Sequence, residues 1–173
     1  MKYAPDTVQR RWKSPLGMIA IAATPRGVSG MWFEGQRHWP AGMEGADAWP
    51  VENGPHAVLD AAEAELDAYF AGRTANFRMP LDLPEATPFQ HSVWQALLAI
   101  RPGDTCSYSD IAHAVAKPAA VRAVGAAVGR NPVSIVVPCH RVLGSNGSLT
   151  GYAGGLDRKQ ALLALESRAR RLL

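Results

Sequence analysis

The residues best equipped for chemistry lie together at 138–141, where Pro138 precedes a thiol, an imidazole and a guanidinium on Cys139, His140 and Arg141. Cysteine attacks as its thiolate, and a neighbouring base or cation populates that form. Adjacent residues on an extended chain point opposite ways, so His140 need not touch the Cys139 sulfur. Taken alone, the pair fits a buried, unreactive cysteine equally well. Downstream, residues 143–155 hold five glycines in thirteen positions, a loop able to fold closely over a flat ligand. Glu166 stands at the polar end of the helix expected after that loop. Its carboxylate is placed to orient His140, as the third member of a nucleophile, base and carboxylate set. A solvated helix end would account for Glu166 as well.

Other chemistries find less support. Cys106 and Cys139 are the only cysteines, which excludes a disulfide scaffold and a four-cysteine zinc site. The five histidines show no HExxH spacing and no ligand cluster of cysteines and histidines, so no metal is expected. No stretch approaches the roughly 18 apolar residues of a membrane span, and the N-terminus has no apolar signal region, which predicts a soluble, cytoplasmic protein. The formal charge of +3 divides unevenly, residues 1–85 carrying −3 and residues 86–173 carrying +6. An anionic polymer would bind the second half, although Arg168, Arg170 and Arg171 in a solvated tail supply part of its excess.

The elements that must position these residues divide at about residue 85. In 1–85, apolar runs at 19–23 and 28–33 flank Thr24-Pro25-Arg26-Gly27, a hairpin signal. Residues 34–56 read as loop. Val58, Leu59, Ala62, Leu66 and Phe70 then give a helix over 57–70 with Gly72 as its stop. Pro80 and Pro84 mark a linker over 78–86. In 86–173, Thr87-Pro88 opens a helix with Phe89, Val93, Trp94, Leu97 and Leu98 on one apolar face. Ser107 and Asp110 form a capping box for a second helix running to about residue 116. Pro118 is expected to begin a third, over 119–128 and ended by Gly129. The last two make a helix-turn-helix pattern. Residues 135–137 read as a short buried strand that ends at Pro138.

The third helix, AAVRAVGAAVG, has Arg122 as its one charged side chain. A helix that reads bases in the major groove would carry several Asn, Gln, Arg or Lys. This smooth surface suits close approach to a groove with little sequence readout, or tight packing in a core.

With Arg122-Ala123-Val124-Gly125 and Asn131-Pro132 before it, and Gly151-Tyr152-Ala153-Gly154-Gly155 after it, Val136-Val137-Pro138-Cys139-His140-Arg141-Val142 resembles the O6-alkylguanine-DNA alkyltransferase family. The likeness is detailed over about 88–166 and looser upstream, where Ser14-Pro15-Leu16-Gly17 carries it. It implies a small ribonuclease-H-like α/β N-terminal domain (1–85), then a mostly α, winged-helix-like helix-turn-helix domain (86–173). It also implies a DNA repair protein that moves the alkyl group of O6-alkylguanine, with O4-alkylthymine a second candidate, onto its own Cys139 once per molecule.

On that resemblance His140, through a water and held by Glu166, takes up the thiol proton. Tyr108 donates to guanine N3, and Asn131 braces the turn around the cysteine. Arg122 fills the stack vacated by a flipped nucleotide, while Ala123, Ala127 and Arg130 line the DNA surface in the minor groove. Pro138, Val142, Tyr152, Ala153 and Gly154 form the base pocket. No cofactor, metal, membrane or obligate protein partner is implied, and a monomer is expected. Ala153 and Ser134 depart from the serine and proline that some relatives carry at these places. Lesion-binding relatives that recruit other factors lack the cysteine, and a transcription regulator would need more base-reading side chains than this helix has. The resemblance predicts that Cys139→Ser abolishes alkyl transfer and spares DNA binding, whereas Cys106→Ser retains transfer; labelled-methyl transfer and gel-shift assays on both variants check it.

Overall fold

Strand β2 (Gly17–Thr24) is apolar on both sides because each of its faces is covered. A computed structural model describes residues 1–171. In it β1 (Val8–Ser14), β2 and β3 (Gly27–Phe33) form an antiparallel sheet in that order. Ile19, Ile21, Met31 and Phe33 point to the main core, where α1 (Ala57–Phe70) lays Leu59, Ala62, Leu66 and Tyr69 against them. Ala20, Ala22 and Trp32 face the other way, under Tyr3, Trp39, Trp49 and Met43 from the segments around the sheet. Gly30 is required there: a Cβ would sit 1.7 Å from the Trp32 ring that lies across it.

The hairpin and α1 stand where the sequence puts them, with one change of face. Tyr69, not Phe70, is fully buried on α1. Strand β1 escaped the sequence pattern because its arginines disguise it. Arg10 is buried, its guanidinium donating to the carbonyls of Glu52 and Gly54 and to Asp60.

The linker is stitched to the sheet. Val28 N–H donates to Pro80 O at 2.8 Å and Asp82 N–H donates to Val28 O at 2.9 Å. Further along the same edge, Met31 N–H donates to Pro132 O at 2.8 Å and Ser134 N–H to Met31 O at 2.9 Å. The second half of the chain thus completes the sheet of the first, and one apolar core runs through both.

In the second half, α2 (Pro88–Leu98) and α3 (Tyr108–Ala114) both begin with capping boxes, Thr87 with Gln90 and Ser107 with Asp110. On α2, Val93, Trp94 and Leu97 are buried, whereas Leu98, expected on that face, is exposed. Helix α4 (Val121–Gly129) starts later than expected, because Pro118 lies in a turn and Ala120 is the N-cap. The two-residue strands β4 (Cys106–Ser107) and β5 (Val142–Leu143) pair in parallel, and α5 (Leu156–Arg171) closes the described chain.

The strand expected over 135–137 does not form. Ile135 has φ +74°, a conformation that β-branched residues rarely hold and that no strand accommodates. The stretch is a succession of tight turns: Val136 N–H donates to Ser134 O, Val137 N–H to Val133 O and Cys139 N–H to Val137 O. Pro138, at φ −84° and ψ 63°, is the centre of an inverse γ-turn. Here tertiary packing overrides the β propensity of Ile-Val-Val.

Trp94 ties α2 to α4, its indole N–H donating to Ala127 O at 3.0 Å. Trp94→Phe is expected to lower the unfolding free energy by about 1–2 kcal/mol through the lost hydrogen bond and volume, measured by urea denaturation.

Candidate active site around Cys139

Cys139, His140 and Arg141 form one turn of 3-10 helix, so neighbouring side chains diverge less than on an extended chain. Three preceding turns deliver the thiol there, and Asn131 holds them. Its Nδ2 donates to Val137 O at 2.7 Å and to Cys139 Sγ at 3.1 Å, and its Oδ1 accepts from Val133 N–H at 2.9 Å. Asn131 thus braces the cysteine turn and touches the sulfur itself.

Glu166 is not at a solvated helix end. It lies inside α5 and is 1% exposed. Its Oε1 accepts from His140 Nε2 at 2.8 Å, from Arg141 Nη2 at 2.9 Å and from the Tyr69 hydroxyl at 2.9 Å, while Oε2 accepts from Arg141 Nε at 2.8 Å. Burial works to raise this carboxyl, but the hydrogen bonds of His140 and Arg141 and the Arg141 charge outweigh it and hold the group down to about 2. A carboxylate can only accept, so the proton on His140 is at Nε2. That leaves Nδ1 as the basic nitrogen; it is buried and has no hydrogen-bond partner among the described residues.

Burial pushes the Cys139 thiol up, against the Asn131 hydrogen bond and the Lys159 charge. Burial also lowers His140, against the pull of Glu166. The resting pair is a neutral thiol beside a neutral imidazole. A neutral thiol attacks only after giving up its proton, and the free lone pair on His140 Nδ1 is chemically able to accept one.

Tyr108 begins α3 and reaches across to the glycine-rich loop, its hydroxyl donating to Thr150 O at 3.2 Å and Gly151 O at 3.3 Å. Pro138, Val142 and Tyr152 are buried and Ala153 is half-buried. Gly154 admits no side chain, since a Cβ would lie 2.8 Å from the Tyr152 ring and 3.1 Å from Phe33. Ala153 O accepts from Arg37 N–H at 3.1 Å, so the loop is also held by the first half.

On α4, Arg122 and Ala123 are exposed, as is Arg130 just beyond it. Ala127 is a correction: expected on the outer surface, it is 2% exposed and faces Trp94. Ala126 is exposed in its place, because one residue along a helix turns the side chain by about 100°.

Sequence reasoning missed Lys159 and Tyr69 and gave Arg141 no role. Lys159 is fully buried, its Nζ donating to Val142 O at 2.5 Å and Thr150 O at 2.8 Å. The signal was helical spacing: Lys159, Leu162 and Glu166 share the inward face of α5. Among the described residues no group of His, Cys, Asp and Glu could hold a metal ion.

Residues 8–83 match the family described as 6-O-methylguanine DNA methyltransferase, ribonuclease-like domain, and residues 88–168 match its DNA binding domain. A methylated-DNA–protein-cysteine methyltransferase of Mycolicibacterium paratuberculosis is 47% identical over 155 residues, 90% of this chain and 89% of that protein. The chain belongs to this methyltransferase family. Another relative, from Methanosarcina acetivorans and of the same name, is 46% identical over 90% of this chain and 95% of its own. The crystal structure of Mycobacterium tuberculosis OGT in complex with DNA superposes with a TM-score of 0.82 at 40% identity, covering 93% of each chain. The ribonuclease-like half followed by a DNA-binding half is therefore the methyltransferase fold.

The buried Glu166 carboxyl contributes to the protein's response to acid. Unfolded, it takes a proton near its usual 4.5; folded, it resists to about 2, so the unfolded state binds more protons between these values and stability falls as pH falls. His140, lowered from 6.5, acts in the same sense from about pH 6.5 downward. Between pH 5 and 2 the Glu166 share is on the order of 3 kcal/mol. Denaturation curves at pH 7, 5 and 3.5 are expected to show this loss, with a shallower fall below pH 5 in Glu166→Gln.

Proposed function

We propose that this protein repairs alkylated DNA by taking the alkyl group of O6-alkylguanine onto Cys139 in a single turnover. The observation that carries the reading is two buried hydrogen-bonded pairs on neighbouring residues of one turn, Asn131 with Cys139 and His140 with Glu166, in a member of the methyltransferase family. The Cys139 sulfur attacks the alkyl carbon, the S–C bond forms as the C–O6 bond breaks, and the bonding pair stays on the guanine. The thiol proton passes to His140 Nδ1 through a water, and the departing base regains one proton as it becomes guanine. Tyr108 supplies a hydrogen bond to guanine N3 as charge develops there. The thioether has no leaving route, so each molecule acts once.

The base reaches Cys139 by leaving the duplex. Exposed Arg122, beside the small exposed residues Ala123 and Ala126, enters the minor groove and occupies the vacated stack, with Arg130 on the backbone. The flipped guanine lies between Tyr108, Pro138 and the loop of Tyr152, Ala153 and Gly154. Lys159 occupies one lone pair of Val142 O and leaves the other for the base.

Intact-protein mass spectrometry after incubation with O6-methylguanine DNA tests the reaction: a gain of one methyl group on the Cys139 peptide is expected, and an unchanged mass refutes it. Arg122 is tested separately. Arg122→Ala is expected to slow repair of duplex DNA by about tenfold or more, since extrusion costs a few kcal/mol that the inserted side chain offsets. Reaction with free O6-benzylguanine, which needs no flipping, is expected to be unchanged. An equal ratio of duplex to free-base rates in parent and variant would remove the flipping role.

A further inference from the structure

Tyr69 is on α1, in the half of the chain that carries none of the proposed alkyl-transfer residues, yet it enters the site. Its hydroxyl donates at 2.9 Å to Glu166 Oε1, the oxygen that also accepts from His140 Nε2 at 2.8 Å. The ring is 1% exposed and clamped by Phe70 and Phe77, with centroids 5.3 Å and 5.2 Å away. A buried phenol held this firmly sets where the carboxylate sits.

We propose that Tyr69 is a positioning residue for alkyl transfer: its O–H pins Glu166 Oε1 against the imidazole and draws off part of the carboxylate's charge, so that His140 rests neutral with Nδ1 open to the thiol proton. This rests on the role of Cys139, His140 and Glu166 proposed above.

A carboxylate that satisfies fewer donors attracts an imidazolium more strongly. Each donor placed on Oε1 therefore lowers the tendency of His140 to hold a second proton. The groups facing the pair come from four segments: Arg141 beside it, Lys159 on α5, Tyr69 on α1, and Tyr152 and Cys139 on the pocket side. Arg141 and Lys159 repel an imidazolium, and Glu166 alone attracts it. Tyr69 moderates that one attraction. The hydroxyl stays protonated as it does so, because burial and the adjacent Glu166 charge raise it well above 10. The first half of the chain thereby takes part in proton transfer without touching the alkylated base.

The test is the single-turnover rate of methyl transfer from an O6-methylguanine duplex, measured across pH for the parent, Tyr69→Phe, Glu166→Gln and the double variant. Tyr69→Phe is expected to slow transfer at neutral pH by about tenfold, the scale of one hydrogen bond to a charged group. It is also expected to move the acid limb of the rate profile to higher pH and to leave DNA affinity unchanged. In the Glu166→Gln background the same change is expected to add nothing. Site-specific 3,5-difluorotyrosine at position 69, which keeps the ring but donates more strongly, is expected to move the acid limb to lower pH. A parent-like rate and acid limb in Tyr69→Phe, with Glu166→Gln slow, would overturn the role of Tyr69 and leave the site standing. A full tenfold loss in the Glu166→Gln background would also overturn it, since Tyr69 would then act by packing alone. Glu166→Gln and His140→Ala reacting at the parent rate would instead bring down the site, and this role with it.

Discussion

One carboxylate organises this molecule. Glu166, on α5, accepts from an imidazole and a guanidinium on the 3-10 turn and from a phenol on α1, and it is almost wholly out of water. A buried charge is tolerable only when its partners are in place, and removing the Arg141 guanidinium would leave an uncompensated carboxylate at a cost of several kcal/mol. Helix α1, the 3-10 turn and α5 are therefore fixed to one another by the same requirement. The sulfur is placed by the geometry that satisfies the charge.

Around that anchor, polar groups do the orienting and apolar groups only fill. Asn131 gathers three successive turns into a pedestal for Cys139, and Lys159 holds Val142 and Thr150 so that the glycine-rich loop lies over the pocket. Gly154 lets that loop approach Tyr152 and Phe33 more closely than any other residue could. Neither the thiol nor the imidazole is charged at rest, which protects a once-only nucleophile from reacting before a substrate arrives.

What could be read from the sequence were the features with local causes. The capping pairs Thr87 with Pro88 and Ser107 with Asp110, the helical period of α1 and the smoothness of α4 all act within a few residues, and each was legible. The Cys139-His140 pair and its flanks were legible as a family pattern. Features set by contacts across the chain were not. Ile135 to Val137 has strand-forming composition, but Pro132 and Ser134 are held to Met31 and Asn131 holds Val133 and Val137, so the stretch folds into turns. Ala127 reads as one more small surface residue until Trp94 is placed against it. Tyr69 looks like core packing, because nothing near it in sequence reveals a carboxylate 97 residues away.

The shared edge of β3 also bears on how the chain is made. Val28 finds its partner in the linker, but Met31 must wait for Pro132 and Ser134, about a hundred residues later in synthesis. Until they emerge from the ribosome, the nascent sheet exposes an unpaired strand edge over an incomplete core, and such edges recruit other chains. Pairing at that separation is also slow, because the loop must close before the contact repays its entropy. The turns that lead to Cys139 follow directly on Ser134, so the contact that completes the sheet also fixes where the cysteine turn starts.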